Sequence, residues 1–140
     1  AASDVYKRQV DKAESLFRTL LSECTSSPSS SHCMVGRTLS GLAITLERTN
    51  KLHESVLFAE QALAHRFRNE GSDTWTTNRN RLQLARVLYK LGRHPEAINL
   101  LNELEQSMTR NEHLDDNDRQ LINEASEMRY QIKALSAEES

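Results

Sequence analysis

The residues able to do chemistry in this chain are scattered, and their spacing argues against a reaction centre. Five histidines are present. His53 and His94 fall at turns, and neither has a second ligand four residues on, the spacing that sets two ligands on one helical face. Cys24, His32 and Cys33 offer three soft ligands but lack the fourth of a closed zinc site. Asp115, Asp116 and Asp118 lack the central glycine and terminal glutamate of a calcium loop. They read instead as a capping and solubilising run at the start of a helix. No glycine-rich phosphate loop, H-E-x-x-H or G-x-S-x-G pattern occurs. No catalytic residue, metal site or cofactor is therefore expected, and the chain is not expected to be an enzyme.

The stronger signal is the placement of charge. Between Thr74 and Pro95 stand five basic residues, Arg79, Arg81, Arg86, Lys90 and Arg93, and no acidic one. Arg79, Gln83, Arg86 and Lys90 are spaced i, i+4, i+7, i+11, which places them on one face of a helix. Forty-two positions earlier, Arg37 and Arg48 stand where Arg79 and Lys90 stand. Such a face is either a solvated surface paired with acids of neighbouring helices or a recognition surface for an acidic segment. Trp75, the single tryptophan, reads as a packing residue at a helix start rather than a ligand anchor.

Composition narrows the class. A chain of 140 residues is long enough for one domain with a core of its own. The net charge of −2 favours neither nucleic acid nor a membrane surface as partner. No apolar run approaches the ~20 residues that span a bilayer. No signal-peptide pattern opens the sequence, and the cytoplasm is the expected compartment. Cys24 and Cys33 flank a serine-rich stretch; a disulfide fits the geometry, but two free thiols are the expectation.

Every apolar stripe has helical period, and no strand pattern occurs. Ala1 to Gln9 is either a leader or the end of a truncated helix and stays outside the fold reading. A first helix is expected over about Val10 to Glu23, with Val10, Ala13, Phe17, Leu20 and Leu21 on one stripe. Thr25 to Ser31, with Pro28, forbids a continuous helix. A second helix, about His32 to Thr49, turns Val35, Leu39, Leu42, Ala43 and Leu46 inward; Gly36 and Gly41 on it admit close approach of a neighbour's backbone. A third, about Leu52 to Asn69, turns in Val56, Ala59, Ala62, Leu63 and Phe67. Asn50 and Gly92 supply left-handed stops, and Pro95 suits a first helical turn. Helices over about Trp75–Leu91 and Pro95–Thr109 form an αα-hairpin. A closing helix over about Asp118 to Ala137 carries Leu121, Ala125, Met128, Ile132 and Leu135. Residues 10–137 thus read as a single helical-repeat domain and 138–140 as a tail.

The chain repeats itself at 42 residues. Ala13, Ser55 and Ala97 align, then Phe17, Ala59 and Leu101, then Leu20, Ala62 and Leu104. Small residues let helices approach and larger ones fill the grooves beside them. A single hairpin cannot bury its own apolar face, so hairpins stack. Leu84-Ala85-x-x-Leu88, then Gly92, then Glu96-Ala97-x-x-x-Leu101 resembles the tetratricopeptide repeat. Arg81 stands at that family's first aromatic marker. The period exceeds the usual ~34 residues by about two helical turns. With Gly71-x-Asp73 and Thr77, it resembles the kinesin-light-chain variety, although Thr74-Trp75 replaces that variety's His-Pro. The resemblance covers about Val10 to Thr109.

The resemblance implies an all-α fold, a right-handed stack of αα-hairpins with about six helices, the last a cap. It also implies an interaction scaffold whose concave groove takes a peptide or partner segment, acidic in character if the basic face is used. The residues expected to bind are Arg37, Arg48, Arg79, Gln83, Arg86 and Lys90. The alternative is a regulatory or sensor segment of a larger enzyme or transcription factor, with catalysis elsewhere. The chain is expected to be part of a longer one. A homo-oligomerisation element using the closing helix is a third reading.

Overall fold

The computed structural model describes residues 2–26 and 32–139. It contains six α-helices, and no strand occurs among the described residues. The chain divides into two compact units, Ala1–Asn69 and Glu70–Ser140.

The first unit contains α1 (Ala2–Ser26), α2 (His32–Arg48) and most of α3 (Leu52–Glu70). α1 is longer than its apolar stripe, because nothing between Ala2 and Gln9 is a glycine or proline to stop it. The exposed Val5 and Tyr6 belong to this extension. The break expected at Pro28, and the question of a Cys24–Cys33 bond, fall outside the described side chains; Cys24 is a buried free thiol. α2 and α3 are joined by a tight turn in which Asn50 takes φ 62°. The amides of Asn50 and Lys51 bond back to the carbonyls of Glu47 and Leu46, at 3.1 and 2.9 Å. This satisfies carbonyls the helix end leaves open. Ser55 Oγ then donates to the buried Ala43 carbonyl at 2.6 Å, joining α3 to α2 across 12 residues.

The core of this unit is Leu39, Leu42, Ala43 and Leu46 of α2 with Val56, Ala59 and Ala62 of α3. Two expectations are corrected. Phe67 is 53% exposed, and Arg66 is buried in its stead at 5%. The inward stripe of α3 runs Ser55, Ala59, Ala62, Arg66; Phe67 is one residue, about 100° of helix, off it. Nor do the two glycines of α2 meet a neighbour's backbone. A Cβ on Gly41 would lie 2.6 Å from the Phe17 ring, and one on Gly36 would lie 2.6 Å from Arg66 Nε. Side chains fill the space each glycine leaves.

The second unit contains α4 (Trp75–Lys90), α5 (His94–Thr109) and α6 (Asp116–Glu139). Thr74 caps α4, its hydroxyl accepting from the Thr77 amide at 3.2 Å. The α4–α5 turn repeats the α2–α3 turn. Gly92 takes φ 78°, and the amides of Gly92 and Arg93 bond to the carbonyls of Tyr89 and Leu88, both at 2.9 Å. α5 enters through Pro95 in its first turn. α6 starts on a reciprocal cap: the Asp118 amide donates to Asp115 Oδ1 at 2.8 Å, and the Asp115 amide to Asp118 Oδ2 at 3.0 Å. The acidic run therefore does the capping its sequence suggested.

Leu82, Leu84, Ala85, Val87 and Leu88 of α4 are buried with Ala97, Leu101 and Leu104 of α5. Leu121, Ala125 and Ile132 complete the core from α6. Glu105 fixes α6 laterally, accepting from Arg129 Nη1 at 2.5 Å and Ser126 Oγ at 3.2 Å.

Candidate functional site

The basic residues of α4 are carried on a helix whose start is firmly fixed. Besides the Thr74 cap, Thr77 Oγ1 donates to the Gly71 carbonyl at 2.8 Å. Trp75 Nε1 reaches the Asn117 carbonyl at 3.4 Å, so the ring ties the first turn of α4 to the start of α6. The ring remains 38% exposed. The guanidinium carbon of Arg79 lies 5.6 Å from its centroid, a cation–π contact that orients Arg79 along the helix surface.

Arg79 and Lys90 are exposed and Arg86 is half-buried. Gln83 is not part of that open surface, because it is buried at 5% exposure. Arg86 lines a cleft of about 220 Å³ with Leu82, Glu124, Glu127, Met128 and Gln131. Two carboxylates of α6 thus share the cleft with it. On α2, Arg37 and Arg48 are both exposed. Arg48 borders a cleft of about 190 Å³ with Tyr6, Gln9, Val10, Ala13 and Thr45.

Arg81, the residue at the aromatic marker, faces inward. At 5% exposure it donates from Nη1 to the Ser72 carbonyl and to Asn78 Oδ1, both at 2.6 Å. Asn78 Nδ2 in turn donates to Ser107 Oγ at 2.9 Å, and Ser107 Oγ to the Ser72 carbonyl at 3.2 Å. Burial draws the Arg81 pKa below its ordinary value, opposed by Glu103, whose carboxylate lies 3.8 Å from Nε. This network secures the 71–74 turn against α5. Its sequence signal was a charged residue where an aromatic is usual.

His94 meets Tyr89 edge-on, 5.5 Å between centroids. Among the described residues, no group of three His, Cys, Asp or Glu could hold a metal ion. No described helix is long and apolar enough to cross a membrane.

Sequence reasoning missed a larger feature in the first unit. A groove of about 560 Å³ opens between α1, α2 and α3, with Leu21, Val35, Leu39, Leu42 and Phe58 on its apolar surface. Its lining comes from three helices, so no local spacing could reveal it.

Hairpins closed by equivalent left-handed residues, with small side chains at equivalent contacts, define a tetratricopeptide-like helical repeat protein. The chain is similar to BtubC (BKLC) from P. vanneervenii, with a TM-score of 0.75 and 19% identity, over 90% of this chain and 50% of that one. It is also similar to the kinesin light chain nearly identical TPR-like repeats of P. anserina. There the TM-score is 0.68 and the identity 19%, over 95% of this chain and 70% of that one. The chain therefore spans about half the length of BtubC. No family model and no curated protein sequence matches it.

Proposed function

We propose that the protein is an interaction scaffold in which the basic face of α2 and the basic face of α4 each bind an acidic peptide segment of a partner protein. The observation that carries this reading is the repeated exposure of Arg37 and Arg48 on α2 and of Arg79 and Lys90 on α4. These are two pairs of positions 42 residues apart on equivalent helices. Arg79, held on Trp75, offers a guanidinium already oriented for a carboxylate. Arg86 contributes less, because Glu124 and Glu127 share its cleft. Charge steers the encounter, and the apolar contacts between the charges supply affinity.

The experiment uses the chain as bait to recover a partner, then titrates that partner's acidic segment at two salt concentrations. Binding that weakens as salt rises and is lost in Arg48→Glu with Lys90→Glu supports the reading. Salt-independent binding at full affinity in that variant rejects it.

A further inference from the structure

The first unit leaves one apolar flank of α1 open. Glu14 and Arg18 of α1 face α3: Lys51 Nζ donates to Glu14 Oε1 at 2.9 Å, and Arg18 Nη2 to Glu54 Oε2 at 3.1 Å. Phe17 faces α2, where a Cβ on Gly41 would meet its ring. Leu16 stands about 100° of helix from Phe17 and roughly half a turn from Glu14 and Arg18, so it points to neither neighbour. It is 59% exposed. Val5, on the same line nearer the start of α1, is 48% exposed, and Leu20 is half-buried. Large apolar side chains exposed in one line mark a contact surface.

The charges on this flank indicate what covers it. Lys12, Leu16, Thr19, Leu20 and Glu23 run i, i+4, i+7, i+8, i+11 along one stripe. Lys12 and Glu23 are both exposed and bracket the two leucines with opposite charge. Laid antiparallel on a second α1, about a two-fold axis between Phe17 and Arg18, the stripe is complementary to itself. Lys12 then stands opposite Glu23 of the second copy, and symmetry repeats the pair at the other end. Leu16 and Leu20 of both copies meet between the two pairs. A parallel arrangement would instead set Lys12 against Lys12 and Glu23 against Glu23, like charge against like.

We propose that two copies of this chain associate through this flank of α1. The helices lie antiparallel, with Leu16 and Leu20 in a central apolar seam and a Lys12–Glu23 pair at each end. The same surface serves both copies, so the assembly closes at two. A single helix pair is a small interface, and a dissociation constant on the order of 10 μM is expected. The seam uses neither Arg37 nor Arg48, so self-association and the binding of an acidic segment are measured separately.

The test is sedimentation equilibrium of the 140-residue chain at low salt, from about 1 to about 200 μM. The expected result is a monomer–dimer equilibrium between 16.0 kDa and twice that mass. Leu16→Asp should raise the dissociation constant about tenfold or more. Lys12→Glu or Glu23→Lys should raise it about threefold or more, because each reverses one charge in both end pairs. Lys12→Glu combined with Glu23→Lys restores opposite charges across the seam and should return to within about twofold of the parent. If Leu16→Asp unfolds the chain by circular dichroism, the exposed charge positions decide alone. A monomer at every concentration overturns the proposal and leaves the flank to another segment or partner. So does a dimer indifferent to these substitutions, and so does a double reversal that fails to restore association. Growth beyond two copies also overturns it, because unlike faces meeting head to tail do not close.

Discussion

Arg110 holds Asp73 through two guanidinium nitrogens, Nη2 to Oδ1 at 2.9 Å and Nε to Oδ2 at 3.3 Å. The pair joins the turn before α4 to the residue that ends α5, across 37 positions of chain. Arg110 is the largest influence lowering the Asp73 pKa, followed by the Ser107 hydroxyl, from an ordinary 3.8 to about 2. Because the folded pKa is depressed, the stabilisation is fully present above about pH 4. It is lost as pH falls toward 2 and the folded carboxylate takes up its proton. Asp73→Asn should therefore flatten part of the acid limb of a melting-temperature profile between those values. A profile that superimposes on the parent's after normalisation at neutral pH would show the pair to be energetically idle.

The Arg81 network predicts a larger effect. Arg81→Met keeps the apolar stem but strips donors from the Ser72 carbonyl and from Asn78 Oδ1. The Ser72 carbonyl keeps its bond from Ser107 Oγ, but leaving the buried Asn78 Oδ1 without this donor costs ~1–3 kcal/mol. The check is a shift of the urea midpoint at constant slope. Unchanged stability would mean that relaxation or water replaces these bonds at no cost.

Ala97 is fully buried where α5 meets α4, at the position equivalent to Ser55. Ala97→Leu should overpack this contact and cost ~1–3 kcal/mol. Ala97→Ser, by contrast, copies the residue at the equivalent place in the preceding hairpin and should be far milder. Equal denaturation midpoints for the two variants would contradict the tight packing of this contact.

The basic face predicts separable folding and binding effects. Arg48 and Lys90 are exposed, and exposed substitutions usually change stability by less than ~0.5 kcal/mol. Arg48→Glu with Lys90→Glu should melt within a few degrees of the parent, about the shift that such a change produces. It should also lose the salt-sensitive binding of an acidic partner segment. A large fall in melting temperature would assign the two residues to the fold instead.

Local chemistry made much of the architecture readable in advance. Apolar period, proline position and left-handed stops act within a few residues, so the helices and both tight turns were visible from Asn50, Gly92 and Pro95. The 42-residue register of Ser55 and Ala97 was equally visible, because each repeat meets the same packing demand. Tertiary structure decided which sides of the helices are covered. Leu63 to Phe67 carries apolar residues on two adjacent faces, and only the packed neighbours select Arg66 over Phe67 for burial. Arg81 and Gln83 share a basic, polar helix with Arg79 and Lys90. Arg81 bonds to Ser72 and Asn78, which Ser107 of α5 ties down in turn, and helical spacing alone grouped the buried Gln83 with the exposed Arg79 and Lys90. The apolar groove of the first unit is the extreme case. It exists only where three helices come together, and its chemistry belongs to none of them singly.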